Sequence, residues 1–399
     1  MLSNSKIVNT YDLKEVNPAT RDFRFALVVA GEASGDLHGS NLIKSIRRLD
    51  PSIRVWGIGG QKMEEQGVRI LIPSSDMAVV GLTEVLPRLR TILRANRTLK
   101  YILRTVRPDL LILIDYPEFN LHLAGVAKRL GIPVLYYVSP QIWAWRKGRV
   151  KKIARRVDRM AVILPFEEDF YKKRGVNVDY VGNPLMDEFN AGIDRKGHPS
   201  EFDADSPYPV VGLLPGSRKE EIDRLLPDML RAAERLKRHF GGLSCILPLA
   251  PTIEHKYARA LTENSPLDVA ILRGDIYELL ERCDIAVVTS GTATLQTAIS
   301  LTPMVIVYKV SPVSYWAGRM IIDVPHIGLV NLVAGHEVAP ELIQDQVEPE
   351  NIAREVIGIL EDEKRREKIK RELQDVRDSL GSGGASLKTA RIALDLMKA

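Results

Sequence analysis

The chain has 399 residues, 45% hydrophobic and 27% charged, with a formal net charge of +5. That is the balance of a soluble globular protein, too long for one ordinary core and mildly basic, which suits an anionic substrate or an anionic membrane surface. No apolar run approaches the length of a membrane span, and the only cysteines, Cys245 and Cys283, sit in apolar runs that read as buried, reduced thiols.

In chain order, residues 1–22 form a polar extension without the apolar core of a signal peptide. FALVVA (25–30) is the first predicted strand, and it runs into the small-residue loop AGEASGD before a helical pattern. A turn of that shape cradles phosphates in doubly wound α/β folds. Here, however, it carries Glu32 and Asp36 beside Ser34 and Gly35. Two carboxylates repel a diphosphate but accept hydrogen bonds from sugar hydroxyls, so this half reads as the hydroxyl-rich, acceptor side; Asp36 and Ser34 could also simply cap the following helix. IRVWGI (53–58) is the second predicted strand.

The segment 81–108 has an amphipathic helical pattern with seven basic residues, among them Arg88, Arg90 and Arg94, and Glu84 as its only acid. Basic amphipathic helices bind anionic membranes, and the preceding run with Met77, Val79, Val80 and Leu82 could meet acyl chains. A stripe of this kind is equally what a helix needs to pack on a sheet. DLLILID (109–115) is a strongly apolar strand ending in Asp115, where a carboxylate at the strand's carboxyl end suits a general base; Glu118 is the rival. PVLYYVS (133–139) and MAVILP (160–165) complete the first half, with the Trp-containing SPQIWAWRKG and a second basic run, 146–159, between them.

The turn-rich, polar stretch 182–209 reads as a linker, giving a first domain at 23–187, a linker at 188–207 and a second domain at 208–350. Its DAD (203–205) is an Asp-x-Asp pair away from any strand end, so no metal is expected there. The second half alternates again: YPVVGLLP (208–215), LSCILPLA (243–250), LDVAILR (267–273), CDIAVVTS (283–290) and MVIVYKV (304–310). The first of these strands runs into Gly216, Ser217 and Arg218, a close-approach turn with a forked cation. The fourth runs into Ser290, Gly291, Thr292 and Ala293, the start of a helix whose N–H groups favour an anion. Residues 351–399 are charged and helical in period.

The fold class is therefore α/β, two Rossmann-like doubly wound parallel-sheet domains facing a cleft, with C-terminal helices. There is no P-loop, no GxGxxG after the first strand, no GxSxG and no zinc spacing among the seven histidines. No cofactor, metal or nucleic acid is expected.

AGEASGD (30–36), VGLTEVL (80–86), IDYPEFN (114–120), YVSPQIWAWR (137–146), LPGSR (214–218), SGTATLQTA (290–298) and GLVNLVAG (328–335) together resemble the lipid-A-disaccharide synthases, glycosyltransferases of outer-membrane lipid assembly. The resemblance implies the GT-B fold, with a donor, UDP-2,3-diacylglucosamine, held mainly by the second domain. It implies an acceptor, 2,3-diacylglucosamine 1-phosphate (lipid X), and the products UDP and a β-1,6-linked disaccharide phosphate. It also implies a homodimer with exchanged C-terminal segments and a cytoplasmic protein peripheral to the inner membrane. By the same resemblance Asp115 is the base, Arg218 the essential arginine, Asn331 the motif asparagine and Glu32 the acid of the first loop. Gln296, expected at the ribose, stands where the family often has Glu, and Asn183 where it usually has His. The residues alone leave open another GT-B enzyme, such as a UDP-N-acetylglucosamine 2-epimerase, or a non-catalytic nucleotide-sugar-binding protein at the membrane.

Overall fold

The computed structural model describes residues 21–77, 85–145, 147–193, 207–311, 315 and 324–398. Val79, Val80, Leu82, the DAD sequence and the side chain of Arg88 lie outside the described residues, as does nearly all of the N-terminal extension. The chain forms two compact units, residues 1–184 with 384–399, and residues 185–383.

The first unit is built on a seven-stranded sheet: β1 (Phe25–Ala30), β2 (Arg54–Gly59), β3 (Arg69–Pro73), β4 (Leu110–Ile114), β5 (Val134–Tyr137), β6 (Arg159–Val162) and β7 (Val178–Tyr180). The order is β3-β2-β1-β4-β5-β6-β7, every pair parallel. Alternation along β1 explains the layers. Phe25, Leu27 and Val29 join one core with Leu99, Ile102 and Leu103 of the helix Val85–Thr105, and with side chains of the helices Pro117–Arg129 and Val150–Arg156. Ala26, Val28 and Ala30 join the other, with Leu42, Ile43 and Ile46 of the helix Ala33–Leu49.

The second unit has a six-stranded sheet: β8 (Val210–Leu214), β9 (Ser244–Pro248), β10 (Val269–Leu272), β11 (Ile285–Thr289), β12 (Met304–Tyr308) and β13 (Glu341–Ile343). Its order is β10-β9-β8-β11-β12-β13, again all parallel. The helix Lys219–Phe240 packs with Pro349–Leu360, while Thr292–Ile299 and Leu329–Ala334 pack under Glu363–Ser379.

The last fifty residues do not form one block. Pro349–Leu360 and Glu363–Ser379 belong to the second unit, whereas Ala385–Leu396 packs on Ala33–Leu49 of the first. The chain makes this change through Gly383 and Gly384, at φ +95° and +80°, a left-handed pair that side-chain-bearing residues resist. Likewise the helix Pro184–Ile193 falls almost wholly in the second unit, so the first ends at Pro184 and not at 187.

In each sheet the strand order reverses at one place, between β1 and β4 and between β8 and β11. Ligands of open parallel sheets bind beyond the carboxyl ends of the strands at such a point.

Candidate active site

In the first unit the two loops at the reversal are Gly31–Glu32 and Asp115–Tyr116. Asp115 and Tyr116 both take left-handed backbone, φ +45° and +48°, which two consecutive non-glycine residues rarely do. The Tyr116 ring lies over Gly31, where a Cβ would come within 2.6 Å of it, so only glycine fits beneath. The Tyr116 hydroxyl donates to the carbonyl of Met77 at 3.2 Å. The Asp115 carboxyl is pushed up to about 6, first by burial and then by the negative charge of Glu32. Glu32 is exposed at the N-cap of Ala33–Leu49, with Ser34 exposed beside it and Gly35 packed against Ala30.

Two first-unit expectations need correction, and one left open is decided. Asp36 does not face a ligand: it is buried, and its carboxylate accepts the N–H groups of Gly60 (2.6 Å), Lys62 (3.1 Å) and Met63 (3.2 Å), capping the helix Gln61–Glu65. Met77 is completely buried in the core and presents nothing to acyl chains. The stripe Leu99, Ile102, Leu103 and Val106 is core as well; each such side chain, fully buried, contributes about 1.5–3 kcal/mol to folding rather than to lipid contact. Arg90 and Arg94 are exposed on the same helix. Glu118 is exposed and ion-paired with Arg149.

Sequence reasoning passed over Glu167. It is buried, and its Oε1 accepts the Ser139 hydroxyl and the Trp143 indole N–H (3.0 Å), while Oε2 accepts the N–H groups of Leu164 (3.0 Å) and Ile163 (3.3 Å). One carboxylate thus organises the SPQIW loop after β5, next to Val138, a β-branched residue at φ +58°. Pro165 at the first helical position with Glu at the third is the local pattern that could have revealed it, since such a Glu reaches back to the amide of Leu164.

In the second unit Gly216 takes φ +121° after β8, and Arg218 follows with its guanidinium largely exposed. Two of the turn's backbone donors, at Ser217 and Arg218, are already used. Glu221 accepts the N–H groups of Ser217 (3.1 Å) and Arg218 (3.3 Å) on one oxygen and the Arg218 guanidinium (3.1 Å) on the other. The most exposed group this loop offers an anion is therefore the guanidinium. After β11, the Ser290 N–H bonds to Val307 and its hydroxyl to the carbonyl of Ile327 at 2.7 Å. That leaves Gly291 (φ +143°), Thr292 and Ala293 to present the helix start, whose first N–H groups have no intrahelical partner. Thr289, the last residue of β11, buries a hydroxyl without a hydrogen-bond partner. Gln296 is half-buried near the Tyr277 hydroxyl, which donates to the Leu185 carbonyl at 3.1 Å.

Asn331 is fully buried, and both ends of its amide are engaged. Its nitrogen donates to Ala339 and Glu341, each at 2.8 Å, and its oxygen accepts from Val338 (2.8 Å) and Ala339 (3.0 Å). It is a clamp for the loop that ends at β13. Glu341 extends the clamp by accepting the N–H groups of Ile327 and Gly328, each at 2.9 Å. Through Ile327 the clamp reaches Ser290, so Asn331 shapes the site without presenting a free polar atom to it.

The model of the lipid-A-disaccharide synthetase family matches residues 26–394. The chain belongs to that family. A lipid-A-disaccharide synthase of Geobacter metallireducens is 50% identical over 371 residues, covering 93% of this chain and 97% of that protein. One from Syntrophus aciditrophicus is 50% identical over 376 residues, covering 94% and 98%. One from Myxococcus xanthus is 43% identical over 371 residues, covering 93% and 97%. Membership makes the chain a glycosyltransferase of lipid A biosynthesis. Among solved structures, the UDP-GlcNAc 2-epimerase from Neisseria meningitidis bound to UDP-GlcNAc matches with a TM-score of 0.64 at 12% identity, covering 93% of this chain and all of that one. The glycotransferase of kitacinnamycin matches at 0.60 and 15%, covering 94% and 99%. Likeness at such identity shows the fold, the paired Rossmann-like arrangement of GT-B proteins, and nothing of the substrate. No helix among the described residues is long and apolar enough to cross a membrane.

Proposed function

We propose that the family reaction runs here between UDP-2,3-diacylglucosamine and 2,3-diacylglucosamine 1-phosphate, with Asp115 as the base. The acceptor 6-hydroxyl attacks the donor's anomeric carbon from the side opposite UDP, its proton passes to Asp115, the bond to the diphosphate breaks and the configuration inverts. The observation that carries this is the Asp115 carboxyl itself, raised to about 6 by burial and by Glu32 at the reversal of a parallel sheet. A base poised there is ionised at neutral pH yet basic enough to take a proton as the new bond forms. The departing diphosphate gains charge, which Arg218 and the helix start at Gly291, Thr292 and Ala293 offset without a metal; one such contact is worth about 2.7–4 kcal/mol of barrier.

The cytoplasmic face of the inner membrane is where such acylated substrates would be met, with the basic helical face of the first unit turned to anionic lipid. Arg94 and Arg97 are exposed on Val85–Thr105. On the adjoining helix His122 is lowered by burial, then by Lys100, Arg156 and Arg129, a sign of how densely cations crowd this face. Attraction of this kind contributes roughly 1 kcal/mol per basic residue near the surface.

The test is UDP release from UDP-2,3-diacylglucosamine with and without lipid X. Release that requires lipid X in the wild type and vanishes in Asp115→Asn supports the reading. Release that persists in Asp115→Asn removes Asp115 from the role. Binding without any release would leave a scaffold.

A further inference from the structure

We propose that Tyr136 and Asn120 are positioning residues for the base: together they grip the main-chain carbonyl of Asp115 and hold its carboxyl where the acceptor proton leaves. The proposal rests on Asp115 being that base.

The Tyr136 hydroxyl donates to the Asp115 carbonyl at 2.6 Å, and the Asn120 amide donates to the same oxygen at 2.6 Å and to the Ile114 carbonyl at 3.2 Å. Both side chains are completely buried. Two features say that these groups are kept for this contact. Tyr136 packs among the aliphatic side chains of the larger core, where a phenyl ring would fill the same space. A hydroxyl buried there is costly unless it is bonded, and its bond goes to the Asp115 carbonyl. Asn120 faces two carbonyls with its nitrogen, which fixes the amide's direction, and its oxygen is buried without a hydrogen-bond partner. The side chain accepts an unsatisfied atom for what its donor end does.

What the grip holds is a conformation the chain would not keep unaided. Asp115 and Tyr116 are left-handed in succession, and neither is glycine. The turn points the Asp115 carbonyl inward to the two donors. Released, the backbone would relax toward negative φ, swinging the Cα–Cβ bond and with it the carboxyl. A displacement of about 1 Å at a reacting group costs on the order of 100-fold in rate. The charged and titratable groups around Asp115 are Glu32 from the loop after β1, Tyr116 beside it, and Tyr136 from β5, which itself feels Glu118 and Tyr171. Tyr136 is raised well above the ordinary phenol value by burial and by Asp115, so it remains a donor throughout the working range.

Tyr136→Phe keeps the ring and removes one donor; Asn120→Ala removes the other and reads the same grip if the first variant folds poorly. The expected result for either is a kcat lower by about 10- to 100-fold with the Kd for UDP unchanged. The acid limb of kcat/KM should also shift from that of the wild type, because the carboxyl has left its buried position. A lowered Tm with kcat and the acid limb unmoved would overturn the proposal, since a purely structural pair behaves so. Asp115→Asn, run alongside, separates the two ideas: if it keeps turnover the base assignment has failed, and if it is inactive while the Tyr136 and Asn120 variants turn over normally, only the grip has.

Discussion

At the end of β4 a carboxylate is presented by two strained left-handed residues, with a second carboxylate, Glu32, across from it. At the end of β8 a glycine turn presents a guanidinium, and the carboxylate of Glu221 is turned back onto the loop's own donors. The two sheets have the same reversal of strand order, yet the loops at it have opposite electrical character. The contrast teaches that the topology supplies the place and the loop residues supply the chemistry. One loop keeps a buried carboxyl beside a second carboxylate, and the other leaves a guanidinium exposed.

The largest expected break is at Asp115. Asp115→Asn should lower turnover by at least about 100- to 10,000-fold with UDP affinity intact, as loss of a general base does. Calorimetry with UDP checks the second half of that statement. Arg218→Ala should slow turnover too, but unlike Asp115→Asn it should also weaken UDP, by about 1.5–3 kcal/mol, the worth of a hydrogen bond to a charged group. Arg218→Lys should recover only part, because a point charge does not reproduce the fork. Equal UDP affinity in Arg218→Ala would erase the contrast between the two loops.

Asn331→Ala probes the clamp rather than the chemistry. It strands the N–H groups of Val338 and Ala339, so urea unfolding should show a loss of about 1–3 kcal/mol. Turnover of the folded fraction should change less than in Asp115→Asn. The smallest effect is on stability at Asp115. Its folded pKa lies above the unfolded one, so the native state holds the proton longer, and stability falls as pH rises from about 4 to about 6. Asp115→Asn removes that cost. It should be more stable than wild type by on the order of 1–2 kcal/mol at pH 8, and no more stable at pH 4. An advantage equal at both values would mean that the carboxyl is not held against its charge.

The central strands were legible in the sequence because both faces are covered and nearly every residue is apolar. The strands β3, β7 and β13 were not read, and all three lie at sheet edges, where RILIP, VDY and ELI are short and only partly buried. The placement of Asp115, Glu32 and Arg218 in loops beyond strand ends was legible because a residue's place just after an apolar strand is a local signal. The misreadings concern residues whose partners are distant in the chain. Asp36 looked like a ligand-facing carboxylate until its partners proved to be the amides around Gly60, 24 residues on. Asn331 is spoken for by Val338, Ala339 and Glu341. Helix 85–105 showed a stripe that could face lipid or protein, and only packing decides which. Tyr136 and Asn120 are silent in sequence, since a tyrosine in a strand and an asparagine in a helix each have ordinary explanations.

The central claim is that burial and Glu32 set the working pKa of Asp115. The most direct measurement is the pH dependence of kcat/KM for wild type and Glu32→Gln, with saturating donor. The account predicts an acid limb near pH 6 in the wild type, activity rising with pH through it, and a lower limb once the neighbouring charge is gone. A wild-type limb in the ordinary carboxylate range near 4, unmoved by Glu32→Gln, would contradict it.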